Sequence, residues 1–366
     1  MNYKKVNFMF FTLVMIVSGC YGVSNSKPSK ASAKAKNIIL FIGDGMAVPH
    51  VTAGMTASTQ TLNIERFPYS GLSRTHSANS YITDSGAAGT AIACGVKTNN
   101  GMIGVRPDGS PVSSITKIAK KNGLAAGVVS TSAITHATPA SFVAHNSGRG
   151  NTEEIAVDFL NGTIDVFIGG GEDHFRNRKD GADLTLKLKE QGFDVVYTPE
   201  DMVKSGSPKL AALLAKEHMP PVTEGRQGLL AEMTRKAIET LGKNKKGFVL
   251  MVEASQIDWA GHENNLAYLV AETVDLDQAV GVALDFAVKD GNTLVVVTSD
   301  HETGGLVLTG GDIATNSVEA IFAVTGHSGV MVPTFSYGPG AERFSGIHDN
   351  TFFFGEFIKL LGLKKD

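Results

Sequence analysis

The stretch Thr293-Leu-Val-Val-Val-Thr-Ser-Asp300-His301-Glu302 decides how this chain is read. Leu294 to Val297 is an unbroken apolar run, rich in β-branched residues. A run without polar alternation is the pattern of a strand covered on both faces. An aspartate and a histidine follow at once. Open α/β sheets bind ligands at the carboxyl ends of their strands. The stretch therefore reads as a central strand that delivers two metal-binding side chains to one edge of a sheet.

Working outward, runs of the same character lie at residues 37–42, 126–130, 165–169, 193–197, 248–253 and 332–337. Helical periods separate them at 113–121, 227–241 and 266–288. The alternation predicts an α/β fold, a mostly parallel central sheet with helices on both faces. A chain of 366 residues accommodates one such large domain, expected over residues 37–366.

The other strand ends repeat the chemistry of the first. Asp44 follows the run at 37–42, His136 and Thr138 follow that at 126–130, and Glu253 closes that at 248–253. Asp258 and His262 stand four apart, on one face if the segment is helical. His327 sits in the loop Gly326-His327-Ser328, and glycines flank Asp44, permitting close backbone approach. Imidazoles and carboxylates without thiolates suit zinc in a site that keeps room for a substrate. Each fragment alone is ordinary: an Asp-x-x-x-His is usually a surface pair, and a Gly-Asp-Gly usually a turn. Their joint placement after strands raises the functional reading above that.

Thr83-Asp-Ser-Gly-Ala-Ala-Gly-Thr-Ala91 reads as a helix start made of small residues. A serine there lies near free backbone N–H groups and the positive end of the helix dipole, which favour an alkoxide and a bound phosphate. Ordinary capping by Asp84 or Ser85 is the alternative. Capping does not need the run of small residues.

The net charge is −3 and no basic tract appears, so no nucleic-acid-specific surface is expected. Lys4 and Lys5 precede a short apolar run at 8–17, the form of a secretory signal over residues 1–22. Val17-Ser-Gly-Cys20 resembles a bacterial lipobox; signal cleavage nearby and lipidation of Cys20 both stand as readings. Residues 23–36 read as a linker. Cys94 is then the only other cysteine, and its small apolar neighbours suggest a packed core thiol.

Gly43-Asp44-Gly-Met, the segment 83–91, Thr135-His-Ala-Thr-Pro-Ala140, Glu253, Asp258 with His262, Thr298-Ser-Asp-His-Glu302 and Thr325-Gly-His-Ser328 together resemble the alkaline phosphatases. Order and spacing agree from about residue 37 to the C-terminus. The resemblance implies the alkaline-phosphatase-like fold and a metal-dependent phosphate monoester hydrolase. It would act through a phosphoserine on Ser85 and release inorganic phosphate and an alcohol, with broad leaving-group tolerance and an alkaline optimum. It implies two Zn2+ and one Mg2+ per subunit. Asp258, His262 and His327 would hold the first zinc. Asp44, Ser85, Asp300 and His301 would hold the second, and Asp44, Thr138 and Glu253 the magnesium. Arg149, in Asn146-Ser-Gly-Arg149, matches the family's phosphate clamp, where a guanidinium fork grips two oxygens. A homodimer, secreted or periplasmic, is implied as well.

The chain departs from the family pattern at two positions near the expected substrate. His136 stands where many bacterial members carry aspartate, which predicts weaker magnesium binding. Trp259 stands where relatives carry Lys or His; less positive charge would speed phosphate release, and packing at a subunit or loop contact is the plainer reading. Only 25 residues separate His301 from His327, a span where relatives often carry a larger insertion. Abundant glycine (41), sparse proline (12) and a strong preference for Lys over Arg suggest a heat-labile, cold-adapted protein.

Rival readings stay within the same metalloenzyme superfamily. Phosphodiesterases usually place Thr at the nucleophile, and sulfatases need a Cys/Ser-x-Pro-Ser-Arg setting; this chain has Ser85 and no such setting. A phosphoglycerate mutase belongs to the same group of rivals. Arg149 favours a dianionic monoester, because it would contact oxygens that a diester has esterified. A metal-binding protein without activity would need neither Ser85 nor Arg149.

Overall fold

The strand expected at 293–299 is found at Thr293–Thr298, inside a ten-stranded sheet. The computed structural model describes residues 34–364. In chain order the strands are β1 (Asn37–Gly43), β2 (Tyr69–Arg74), β3 (Ala125–Ala133), β4 (Val166–Gly170), β5 (Asp194–Val196), β6 (Leu210–Leu213) and β7 (Phe248–Ala254). There follow β8 (Thr293–Thr298), β9 (Glu302–Thr303), β10 (Leu306–Asp312), β11 (Ser317–Phe322), β12 (His327–Ser328), β13 (Val332–Tyr337) and β14 (Gly346–Asp349). The large sheet has the order β14-β2-β13-β8-β1-β7-β3-β4-β6-β5. All its pairings are parallel except those of β13, which runs antiparallel to β2 and β8.

The apolar runs exist because both faces of the sheet are covered. In β1, Ile38, Leu40 and Ile42 enter one core, while Ile39 and Phe41 enter the other. Helices Ser85–Cys94, Ile115–Lys121 and Phe352–Leu361 close the first core; Leu229–Leu241 and Leu266–Asp290 close the second. Burying each large aliphatic or aromatic side chain is worth about 1.5–3 kcal/mol, so a central strand gains from being apolar at every position. Cys94 lies in the first core, and burial pushes its thiol up to about 12, as expected of an inert packing residue.

Some elements departed from the sequence reading. β2 and β14 are polar and lie at or next to the sheet edge, so neither carries an apolar run. The short span between His301 and His327 folds as the β10–β11 hairpin, with Leu308, Ala320 and Phe322 leaning on the second core. The end of the expected linker belongs to the folded unit. Ala35 is buried and donates its N–H to Leu360 O, and Lys36 donates to Asn292 O. The signal segment and Cys20 lie outside the described residues.

This topology places the ends of β1, β3, β7 and β8 side by side, in the order β8-β1-β7-β3. Asp300, Asp44, Glu253 and the His136–Thr138 turn are thereby gathered on one edge, although they are far apart in sequence.

Candidate active site

Ser85 is the first residue of helix Ser85–Cys94 and is buried. Asp84 is its N-cap, accepting from Ala87 N at 3.0 Å, and so leaves the serine hydroxyl free. The Ser85 Oγ lies 3.2 Å from His301 Nε2. Around that nitrogen stand Asp300 Oδ2 at 3.2 Å and Asp44 Oδ1 at 3.5 Å. Asp300 is held through its other oxygen, which accepts from Gly45 N (3.2 Å) and His301 N (3.0 Å). Gly45 adopts φ +75°, and a Cβ there would stand 2.8 Å from Asp258 Cα. The glycine expected for close approach is thus required at this position.

A second group adjoins the first. Helix Gln256–His262 presents Asp258 and His262 on one face, with His262 Nε2 3.4 Å from Asp258 Oδ1. His327 Nε2 lies 3.5 Å from the same oxygen. Each ring is oriented from behind: His262 Nδ1 donates to Thr325 O (2.6 Å) and His327 Nδ1 to Thr83 O (2.8 Å). A carbonyl only accepts, so Nε2 is the nitrogen left to share a proton or a metal ion with Asp258. The hydrogen bond to Asp258 accordingly lifts His262 to about 9. Burial opposes ionisation of Asp258, but the hydrogen bond from His262 heads the interactions that outweigh it and hold its carboxyl well below the usual range.

A third group comprises Asp44, His136 and Glu253, with ligand atoms within 4.8 Å of one another. Thr138 Oγ1 joins it 3.5 Å from Asp44 Oδ2. Ser130 (2.5 Å) and Ser132 (3.4 Å) donate to one oxygen of Glu253. His136 Nε2 is 3.3 Å from Arg149 Nη2. Arginine can only donate, so Nε2 accepts and the neutral ring keeps its proton on Nδ1. Burial first, then the charges of Arg149 and His218, lowers His136 to about 3, so the ring is neutral.

Among the described residues six buried side-chain polar atoms lack a hydrogen-bond partner, and four of them, Asp44 Oδ1, Asp300 Oδ2, Glu253 Oε1 and His136 Nδ1, lie here. Burial, then the charges of Asp300, Asp258 and Glu253, pushes Asp44 well above the usual carboxylate range. Burial pushes Glu253 up to about 7. Buried carboxylates of this density are tolerated when they coordinate metal. The donor set fits divalent cations: imidazole with carboxylate in the first two groups, oxygen-rich in the third. The groups Asp258–His262–His327 and Asp44–Asp258–His301 each have ligand atoms within 4.8 Å, so the two sites adjoin.

Arg149 Nη1 donates to Asp84 Oδ2 at 2.8 Å, which anchors the guanidinium beside the start of the Ser85 helix. Trp259 makes edge contacts with His218 (centroids 4.7 Å apart) and His136 (6.2 Å). It projects from helix Gln256–His262 onto these two histidines, beside the third group.

Four contributors were missed in the sequence. His218, in the loop after β6, accepts from Ala133 N (3.0 Å); a lone histidine far from any motif carried no signal. Ser255 hydrogen-bonds Ser130 behind Glu253. Thr303 is hydrogen-bonded to Asp258 and His50 to Thr303 in turn, and Thr303 adjoins a quoted motif closely enough to have been asked about.

Comparison with known proteins places this geometry in a family. The alkaline phosphatase family model matches residues 35–320. Alkaline phosphatase 4 of Bacillus subtilis is 34% identical, with 96% of this chain and 95% of that protein covered. The alkaline phosphatase of Escherichia coli is 32% identical over 92% of this chain and 88% of its own length. Among solved structures, the alkaline phosphatase of the Antarctic bacterium TAB5 is 41% identical with a TM-score of 0.87, covering 92% of this chain and all of that one. Similar in sequence and fold to these enzymes over nearly its whole length, this chain belongs to the alkaline phosphatase family and is a metal-dependent phosphomonoesterase.

Proposed function

We propose that Ser85 is the nucleophile of this phosphomonoesterase. The carrying observation is its hydroxyl 3.2 Å from His301 Nε2, beside the unpartnered oxygens Asp44 Oδ1 and Asp300 Oδ2. Asp258, His262 and His327 would hold one zinc ion; Asp44, Asp300 and His301, with Ser85, the other. Asp44, Thr138 and Glu253 would hold magnesium. The zinc ions supply Lewis acidity that favours the serine alkoxide and neutralises charge on the phosphoryl and leaving groups.

The chain's own residues do the rest. Asp84 caps the helix and fixes Arg149, whose fork grips two oxygens of the dianionic phosphoryl group. The helix N-terminus adds its backbone dipole at the same place. The Ser85 Oγ bonds to phosphorus as the bond to the alcohol oxygen breaks, giving phosphoserine and the free alcohol. Water then displaces Ser85 from phosphorus, and inorganic phosphate leaves. Contacts confined to the phosphoryl group support broad leaving-group tolerance, and a serine that must lose its proton supports an alkaline optimum. His136 and Trp259 border the substrate. A homodimer, secreted or periplasmic, completes the proposal, its N-terminus processed either by signal cleavage or by lipidation of Cys20. Among the described residues no helix is long and apolar enough to cross a membrane.

The test is to trap the intermediate. Protein mixed with p-nitrophenyl phosphate and quenched in acid should carry one phosphoryl group on the peptide containing Ser85, and Ser85→Ala should carry none. Phosphate on another residue, or bis(p-nitrophenyl) phosphate as the better substrate, would refute this reading.

A further inference from the structure

Behind the metal-ligand groups lies Thr303, in the short strand β9. Its hydroxyl contacts both groups at once: it is hydrogen-bonded to Asp258 Oδ1 and lies 3.3 Å from His301 Nδ1. A hydroxyl has one proton and a carboxylate can only accept, so the proton goes to Asp258. The oxygen then accepts from His301 Nδ1–H. The consequence is fixed chemistry on the far side of the ring: Nε2 carries a lone pair and faces Ser85, Asp44 and Asp300.

Every other part of Thr303 is held. Its N–H donates to Gly45 O at 3.0 Å, next to Asp44. Its carbonyl accepts from His50 Nε2 at 3.0 Å; His50 Nδ1 in turn accepts from Ala47 N, which fixes the proton on Nε2. His50 is fully buried, and no step of the proposed reaction uses it. Across the β9–β12 pair, Thr303 is in register with His327. Two glycines make room for it: a Cβ on Gly45 would come within 2.8 Å of Thr303 Oγ1, and one on Gly261 within 3.0 Å of Thr303 Cβ.

We propose that Thr303 is a positioning residue that couples the two zinc sites through the chain His301 Nδ1–H to Thr303 Oγ–H to Asp258 Oδ1. This rests on the metal reading of the site given above. A cation on His301 Nε2 makes Nδ1–H a stronger donor, which polarises the Thr303 hydroxyl and strengthens its bond to Asp258. The occupancy of one site is thereby felt by a ligand of the other. His50 holds the threonine in place from behind and takes no part in the relay.

Thr303→Val keeps the shape and removes the hydroxyl; Thr303→Ser keeps the hydroxyl. Metal-free protein, with folding checked by circular dichroism, is titrated with Zn2+ against a chromogenic chelator. Wild type should bind two zinc ions in linked steps. Thr303→Val should bind each about ten-fold or more weakly, with the linkage lost, and Thr303→Ser should stay within about three-fold of wild type. Nitrogen-15 spectra of metal-free wild type should show His301 protonated on Nδ1 only, a readout that needs no variant to fold. The coupling is overturned if Thr303→Val binds both ions like wild type, if Thr303→Ser is as weak as Thr303→Val, or if His301 carries its proton on Nε2. Wild type that takes up no zinc overturns the metal reading itself, and the coupling with it.

Discussion

Asp84 and Arg149 are bonded at 2.8 Å across 65 residues of sequence, and the same carboxylate caps the helix that begins with Ser85. One side chain therefore holds both the helix that Ser85 begins and the Arg149 guanidinium. Burial raises Asp84, but the N–H groups of Ala87 and Gly101 together with Arg149 outweigh it and hold the carboxyl below the usual range, so the anchor stays ionised near neutral pH.

Arg149→Ala should raise both KM for p-nitrophenyl phosphate and Ki for inorganic phosphate about ten- to hundred-fold, the worth of charge-assisted hydrogen bonds. Arg149→Lys should recover little, because an ammonium cannot span two oxygens and keep Asp84. Steady-state kinetics with phosphate inhibition checks this; unchanged Ki values would remove Arg149 from the site.

His136→Asp should tighten magnesium binding about ten-fold or more, since it exchanges a ring whose Nδ1 keeps its proton for a carboxylate near Asp44 and Glu253. Calorimetric Mg2+ titration decides, and equal affinities in both proteins would end the argument.

Trp259→Lys should lower Ki for inorganic phosphate about five-fold, the order expected when a partly solvated positive charge is added at contact range. Trp259 lies against His136 and His218, so Trp259→Phe is the control that removes the indole without adding charge. If Lys and Phe give the same Ki, charge is not what the tryptophan withholds.

Heating should show a melting temperature below that of the Escherichia coli relative, as the glycine-rich, proline-poor and arginine-poor composition predicts. Chelation should lower stability further, by about 2.7 kcal/mol for each ion that had been present at a hundredfold its Kd. Calorimetry with and without chelator measures both effects. A higher melting temperature than the Escherichia coli enzyme would reject the compositional reading.

By itself the sequence determined the buried strands and the kinds of ligand at their ends. A strand covered on both faces is apolar through its middle, so 294–297 and 38–42 announce themselves, and Asp300, His301 and Asp44 are conspicuous where those runs stop. It also offered Asp84 and Ser85 as candidate caps of the helix, without choosing between them. Tertiary structure alone made that choice, because it depends on which side chain is turned toward Ala87 N. It alone brought His50 onto the Thr303 carbonyl across 253 residues, and set the Thr303 hydroxyl between Asp258 and His301 Nδ1. Local pattern carries burial and residue type; a tautomer or a shared proton is set by partners that only the folded chain brings within hydrogen-bond distance.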